Sequence, residues 1–193
     1  MDVSLPLSVR LYLALVAAIA ALRIVELAIS TRNRRALVRG GASAVPERHF
    51  RWMALLHTSV LIAAPAEVVG LQRPFLPLLG AVSIVLLVAA AAMRWWVIRT
   101  LGRHWNVGIM DSARDDVVDD GPYRWVRHPN YAAVFIEMLA LPLVHTAWIT
   151  AVAGMVAHVF VLRARIVAEE RMLFSSPAYV ARMGTKPRFI PHG

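Results

Sequence analysis

Residues 75–93 contain no charged side chain. As a helix rising 1.5 Å per residue, this stretch is about 28 Å long, close to the hydrocarbon thickness of a bilayer. No other feature restricts the fold as strongly. In lipid every backbone N–H and C=O must be satisfied within the chain, and an uninterrupted apolar run of this length does so as a helix. Four further apolar runs bring the expected spans to five, at about 7–29, 52–71, 75–98, 131–147 and 148–167. The last two meet at a short turn around residues 145–150 and predict a helical hairpin. Its arms, with about 16 strongly apolar residues each, are marginal for a full crossing.

Composition agrees. The chain is 59% hydrophobic with a mean hydropathy of +0.58, and only 17% of its residues are charged. That places it in the membrane class. The first apolar run carries no small-residue cleavage signature and reads as a span, not a signal peptide. The lack of cysteine excludes disulfides, thiolate catalysis and Cys-ligated zinc or iron–sulfur centres. The expected fold is all-α: a polytopic integral membrane protein of about five transmembrane helices, one domain over residues 1–193.

A net charge of +9 would suggest nucleic acid in a soluble protein. The distribution says otherwise. Of 21 basic residues, 18 fall in residues 32–51, 94–127 and 163–188, leaving only Arg10, Arg23 and Arg73 elsewhere. These regions alternate with basic-poor connections, so all three lie on one side. The positive-inside rule makes that side cytoplasmic, with the N-terminus outside and the C-terminus inside. The excess is a topology signal, with attraction to anionic lipid as a second effect. No nucleic-acid partner is expected.

Several polar residues interrupt the spans. Arg23 and Glu26 are three apart and can pair. Glu67 is expected near the outer end of the second span and His145 at the outer turn of the hairpin. Arg94, Trp95, Trp96 and Arg99 read as an aromatic and basic anchor at the inner interface. Glu137 and His158 lie inside the hairpin, where an ionisable group is a functional candidate by default. Five aspartates, Asp111, Asp115, Asp116, Asp119 and Asp120, invite a metal hypothesis, but nearby arginines favour a solvated loop. No metal is expected. Asp120-Gly121-Pro122 is a turn signal.

The polar chemistry concentrates after residue 100. Gly121-Pro122-Tyr123-Arg124 is followed by Arg127-His128-Pro129-Asn130-Tyr131, which opens the fourth span. Pro129 suits a first helical turn, where no backbone donor is lost. Free N–H groups there, with Arg124 and Arg127 beside them, favour a carboxylate or phosphate. His128 and Tyr131 add an imidazole and a ring for stacking or cation–π contact. A zwitterionic or nucleotide ligand fits such a mouth; so does a plain interfacial cap touching lipid phosphates. Arg165 and Glu169, four apart, share a helix face, either as a salt bridge or as a site, while Glu170 points elsewhere.

Taken together, Gly121-Pro122-Tyr123-Arg124, Arg127-His128-Pro129-Asn130-Tyr131, Arg165 with Glu169-Glu170, and Pro187-Arg188-Phe189-Ile190-Pro191 resemble the isoprenylcysteine carboxyl methyltransferase family over residues 95–191. The resemblance implies a cytoplasmic site for S-adenosylmethionine, with S-adenosylhomocysteine as product. His128, Pro129 and Tyr131 would hold the cofactor, with Tyr123 and Glu170 as neighbours. Arg165 and Glu169 would lie at the reaction centre. The single domain is thus expected to comprise three N-terminal transmembrane helices (1–98) and a part containing the cofactor-binding loop, hairpin and tail (99–193). The Leu101-Gly102-Arg103-His104-Trp105-Asn106 and Glu137-Met138-Leu139-Ala140-Leu141-Pro142 stretches resemble a bacterial branch, similar to alkylpyrone and alkylresorcinol O-methyltransferases that accompany type III polyketide synthases. The implied partners are a lipophilic small-molecule substrate, membrane lipid and such a pathway neighbour, at a bacterial inner membrane.

Methyl transfer from a sulfonium is an in-line displacement that needs an unprotonated oxygen and no metal. A carboxylate or a pyrone enol is ionised at neutral pH. A phenol, with a reference pKa near 10, needs a base or a cation. Arg165 can stabilise the oxyanion and Glu169 can orient Arg165 or take a proton. The rival activities are carboxyl methylation of an isoprenylcysteine-like acid and NADPH-dependent lipid reduction, since sterol reductases share the R-H-P-x-Y element. A membrane scaffold is the non-enzymatic alternative.

Overall fold

The computed structural model describes residues 5–44, 48–108, 110–111 and 117–191. These residues form six α-helices in chain order: α1 (Leu7–Arg39), α2 (Arg48–Gly70), α3 (Pro77–Leu101), α4 (Pro129–Leu143), α5 (Trp148–Leu173) and α6 (Pro177–Met183). A two-residue antiparallel pair joins β1 (Ser43–Ala44) to β2 (Met110–Asp111), with Ser43 opposite Asp111. Proline opens α3, α4 and α6 at the first turn, where its missing N–H is no loss. Ser176 caps α6, its hydroxyl accepting from the Tyr179 N–H at 3.4 Å.

Among the described residues, four helices are long and apolar enough to cross a bilayer: α1, α2, α3 and α5. Their outward faces carry the apolar residues a soluble protein would hide. Leu78 is 80% exposed, and Ile24, Val85 and Phe160 are similarly open, as expected of a lipid-facing surface. α4 differs. It has 15 residues, not the 17 expected of the 131–147 span, and is about 22 Å long. α5 instead runs well past residue 167 to Leu173. Glu169 and Glu170, past the end of the expected span, therefore sit with Arg165 on one regular helix.

The chain crosses so that α4 begins where α1, α3 and α5 end, here called the site end. At the opposite end a core of Tyr12, Val16, Ala64, Val68, Leu141, Val144 and Ala147 ties α1, α2 and the α4–α5 turn together. Gly154 lets α5 approach α2, since a Cβ there would lie 2.9 Å from Val60 Cγ2. Glu67 closes the start of α5. Its carboxylate accepts from the backbone N–H groups of Ile149 (3.1 Å) and Thr150 (2.7 Å), from the Thr150 hydroxyl (2.8 Å) and from Arg73 Nε (2.9 Å). A helix start leaves its first N–H groups unpaired, and Glu67 supplies from α2 what no local side chain of α5 supplies. His145 lies in the turn between α4 and α5, as expected, but is covered by protein: it is 1% exposed, between the rings of Tyr12 and Phe75.

Arg94 also departs from expectation. It does not reach the interface but turns inward, 7% exposed, onto Glu26. Arg23 donates to the same carboxylate at 2.7 Å, and Glu137 completes a four-residue network. In hydrocarbon a cation gains more from a buried carboxylate than from reaching a distant interface.

A candidate active site at the mouth of the fourth helix

The loop after α3 docks on the site end of α1. Ser30 donates to Asn106 Oδ1 at 3.0 Å and accepts from the Val107 N–H at 2.9 Å, while Asn33 donates to the carbonyls of Gly102 and Trp105. The loop then turns through the 3₁₀ segment Gly121–Arg124. Gly121 has φ +54°, and a Cβ there would collide with Thr100. This turn, foreseen from Asp120-Gly121-Pro122, brings Tyr123 against Val97, Ile98 and Trp105.

At the mouth, the two neighbouring glutamates of α5 take different partners because successive helical residues point about 100° apart. Glu169 accepts from the Tyr131 hydroxyl. That hydroxyl in turn accepts from Arg165 Nε at 2.7 Å, and Arg165 Nη2 donates to the Val107 carbonyl. The phenol oxygen thus lies between a guanidinium and a carboxylate. The expected Arg165–Glu169 pair is joined through Tyr131.

Glu170 points away from the face of Arg165 and Glu169, as expected, and is buried. It accepts from Arg188 Nε (3.0 Å) and Nη2 (2.6 Å), and Arg127 Nη2 lies 3.3 Å away. His128 Nε2 is 3.1 Å from the same carboxylate. Because the carboxylate only accepts, Nε2 carries the proton. The His128 and Tyr131 rings stack with centroids 5.3 Å apart, as an i, i+3 pair does on one helix face. Pro129 is fully buried at the first helical position. Burial, reinforced by the Glu169 charge, raises the pKa of Tyr123 and brings that of Tyr179 to about 12. Both phenols therefore stay neutral at physiological pH.

The free N–H groups expected at the mouth are partly taken. Arg127 N–H donates to the Pro187 carbonyl at 2.9 Å, and His128 N–H to the Arg188 carbonyl at 3.0 Å. The segment after α6 runs across the mouth as a strap, held also by Lys186 Nζ on the Tyr123 carbonyl at 2.8 Å. Sequence reasoning placed Arg127 at the mouth but assigned no role to Arg188 or Tyr179 in this cluster. Pro187-Arg188-Phe189 was the visible signal, but nothing local shows that it folds back sixty residues.

Three buried polar atoms near the mouth, Arg127 Nε, Asn130 Oδ1 and Asn106 Nδ2, have no hydrogen-bond partner among the described residues. Orphaned donors and an acceptor of this kind fit a polar ligand. Among the described residues no three His, Asp or Glu side chains cluster as metal ligands. Asp115 and Asp116 lie outside the described residues, and Asp119 faces Arg182 at 3.9 Å. A hollow of about 380 Å³ between Phe160 and Arg171 lies on the outer side of α5 and shares none of the mouth residues.

A short helical bundle with a lipid-facing surface and a buried polar mouth at one end is the architecture of an integral membrane protein. The chain belongs to the isoprenylcysteine carboxyl methyltransferase family, whose model matches residues 83–175, and is thus a membrane methyltransferase. It is 30% identical over 160 residues to the uncharacterized protein YpbQ of Bacillus subtilis, covering 82% of this chain and 94% of that one. An uncharacterized Haemophilus influenzae protein is 30% identical over 155 residues, covering 80% and 90%.

Proposed function

We propose that this protein is an S-adenosylmethionine-dependent O-methyltransferase that takes a small lipophilic acceptor from the bilayer, with a long-chain alkylpyrone or alkylresorcinol as first candidate. One observation carries the reading. The Tyr131 hydroxyl donates to Glu169 while accepting from Arg165, which is the environment an acceptor hydroxyl needs to lose its proton. Glu169 takes that proton, and Arg165 stabilises the oxygen anion left behind. Most of the acceleration comes from holding the acceptor oxygen in line, in a site shielded from water.

The donor set suits the cofactor. Arg127 and Arg188 outnumber the single charge of Glu170 and leave capacity for a ligand carboxylate. Glu170 suits its ammonium group, and the stacked His128–Tyr131 rings offer a face for an aromatic base. Tyr123 and Pro129 shape the wall. When bound, the cofactor supplies an electrophilic methyl group on a sulfonium. Glu169 favours a hydroxyl acceptor over an isoprenylcysteine-like acid, because an ionised carboxylate placed there would face a like charge. In this reading the mouth opens to the cytoplasm of a bacterial cell, and a type III polyketide synthase makes the acceptor.

Purified protein in lipid nanodiscs tests the proposal. S-adenosylhomocysteine should raise its melting temperature and NADPH should not. Radiolabelled methyl should pass to a long-chain alkylresorcinol or alkylpyrone. Stabilisation by NADPH alone, with no transfer to any lipophilic hydroxyl, would replace the proposal with the reductase reading. Reporter fusions after Arg39, Arg114 and Gly193 should all report cytoplasm, and an external signal at Arg114 would overturn the orientation.

A further inference from the structure

The ion-pair network inside the bundle is finished on one side and unfinished on the other. Glu26 is saturated by Arg23 and Arg94. Glu137 is not: Arg23 Nε stands 3.6 Å from it and Arg94 Nε 3.9 Å, both beyond hydrogen-bond length. Arg23 Nε is buried without a hydrogen-bond partner. Both side chains line a cavity of about 20 Å³, together with His57, Val60 and Leu61. That is room for about one water-sized or hydroxyl-sized group.

His57 shows which chemistry fits. Its Nδ1–H donates to the Met53 carbonyl at 2.7 Å, so Nε2 is the accepting nitrogen of the neutral ring. Behind it stands His158, edge-on at 5.7 Å and fully buried, with neither ring nitrogen partnered. The cavity therefore offers one unpaired donor and at least two under-used acceptors. Two arginines and two glutamates balance formally, so the space favours neither a cation nor an anion. A neutral group that both donates and accepts fits it.

The position shows where such a group comes from. The cavity is built from α1, α2 and α4, and Arg23, His57, Leu61 and Glu137 are all only half-buried. It opens through the seam of these helices onto the apolar surface. Glu137 is six residues from Tyr131, about 9 Å further along α4 and on a different face, so the cavity is distinct from the mouth. Polar groups left unsatisfied against hydrocarbon are costly, and what reaches them there is dissolved in the bilayer.

We infer that this notch holds the hydroxyl group of a bilayer-dissolved amphiphile. The hydroxyl donates to Glu137 and accepts from Arg23 Nε, while the chain leaves past Leu61 into lipid. Its source is either the methyl acceptor, held before it moves to the mouth, or a resident lipid alcohol.

Photolabelling in nanodiscs tests this and reads binding without methyl transfer, so its outcome is separate from that of the methyltransferase assay. The probes are a long-chain fatty alcohol and a long-chain alkylresorcinol, each with a diazirine next to the hydroxyl-bearing head, and the fully O-methylated ether of each. Both hydroxyl probes, or one of them, should form adducts at Val60 and Leu61. The ether, which cannot donate, should label these positions about tenfold less. Leu61→Trp, which fills the notch from its rim, should lower labelling by a similar factor. Adducts from the resorcinol alone identify the acceptor as occupant, and adducts from the fatty alcohol too identify a lipid. Equal labelling by ether and alcohol, or adducts spread along the lipid-facing helices and unchanged in Leu61→Trp, would overturn the inference and leave water as the occupant.

Discussion

α5 meets a buried glutamate at each end, and the two ends are built differently. At the opposite end, Glu67 takes two backbone N–H groups, a threonine hydroxyl and Arg73. At the site end, Glu170 takes only side chains: Arg188, Arg127 and His128. Both carboxylates are satisfied and nearly inaccessible. Backbone donors, however, are fixed by the helix they belong to, so Glu67 can do nothing but close α5. Side-chain donors can be re-aimed, and the Arg188 side chain is half exposed. A buried, well-bonded carboxylate is thus no sign of a site by itself. What marks a site is partners that can exchange one another for a ligand.

Four experiments strain this contrast. The largest effect is expected at the mouth. Arg165→Lys keeps the charge but loses the planar fork, and Glu169→Gln loses the base. Each should lower turnover by about 100-fold or more while S-adenosylhomocysteine binding stays within about threefold. Glu67→Gln should leave turnover per folded molecule nearly unchanged, and an equal loss there would erase the distinction between the two ends.

Next is stability. Glu67→Ala strands Arg73 and the first N–H groups of α5, at a cost of about 2–4 kcal/mol. A clear drop in melting temperature in detergent should follow, and no drop would show that water replaces the carboxylate freely. His128→Ala should weaken S-adenosylhomocysteine binding about tenfold without a comparable loss of stability. Unchanged affinity would make His128 a second Glu67-like support.

The smallest effect is alkaline. Tyr179 titrates at about 12 in the folded protein, against 10 when exposed. Its neutral form is favoured by folding, so its contribution is complete below pH 10 and is lost as pH rises from 10 to 12. Thermal stability should be flat to about pH 10 and then fall, and Tyr179→Phe should blunt the fall.

The sequence made the helices legible because lipid imposes one rule on every span. The R-H-P-x-Y mouth was legible because Pro129 marks a helix start and spacing places His128 and Tyr131 together. Long-range partners were not. Arg94 carries no local mark that it turns towards Glu26, 68 residues away. Pro187 and Arg188 give no hint that their carbonyls occupy the N–H groups of Arg127 and His128. Glu67 resembles any interfacial glutamate until α5 is seen to begin beneath it. Each of these is a tertiary choice, made by packing rather than by local pattern.

The brevity of α4 has a consequence for where the reaction takes place. Its far end is level with the other helices, since Thr146 in the following turn donates to the Pro74 carbonyl between α2 and α3. Set against a hydrocarbon layer of about 30 Å, a helix of about 22 Å held level at that turn would place its other end, at Pro129, short of the far headgroup plane, and the mouth would then be the floor of a well. An acyl-bearing molecule can present its oxygen at the floor without lifting its chain out of the oil, whereas a water-soluble molecule has to descend. Hydrophobic mismatch of this kind ties depth to bilayer thickness, so thicker membranes would bury the floor further and thinner ones would bring it level with the headgroups.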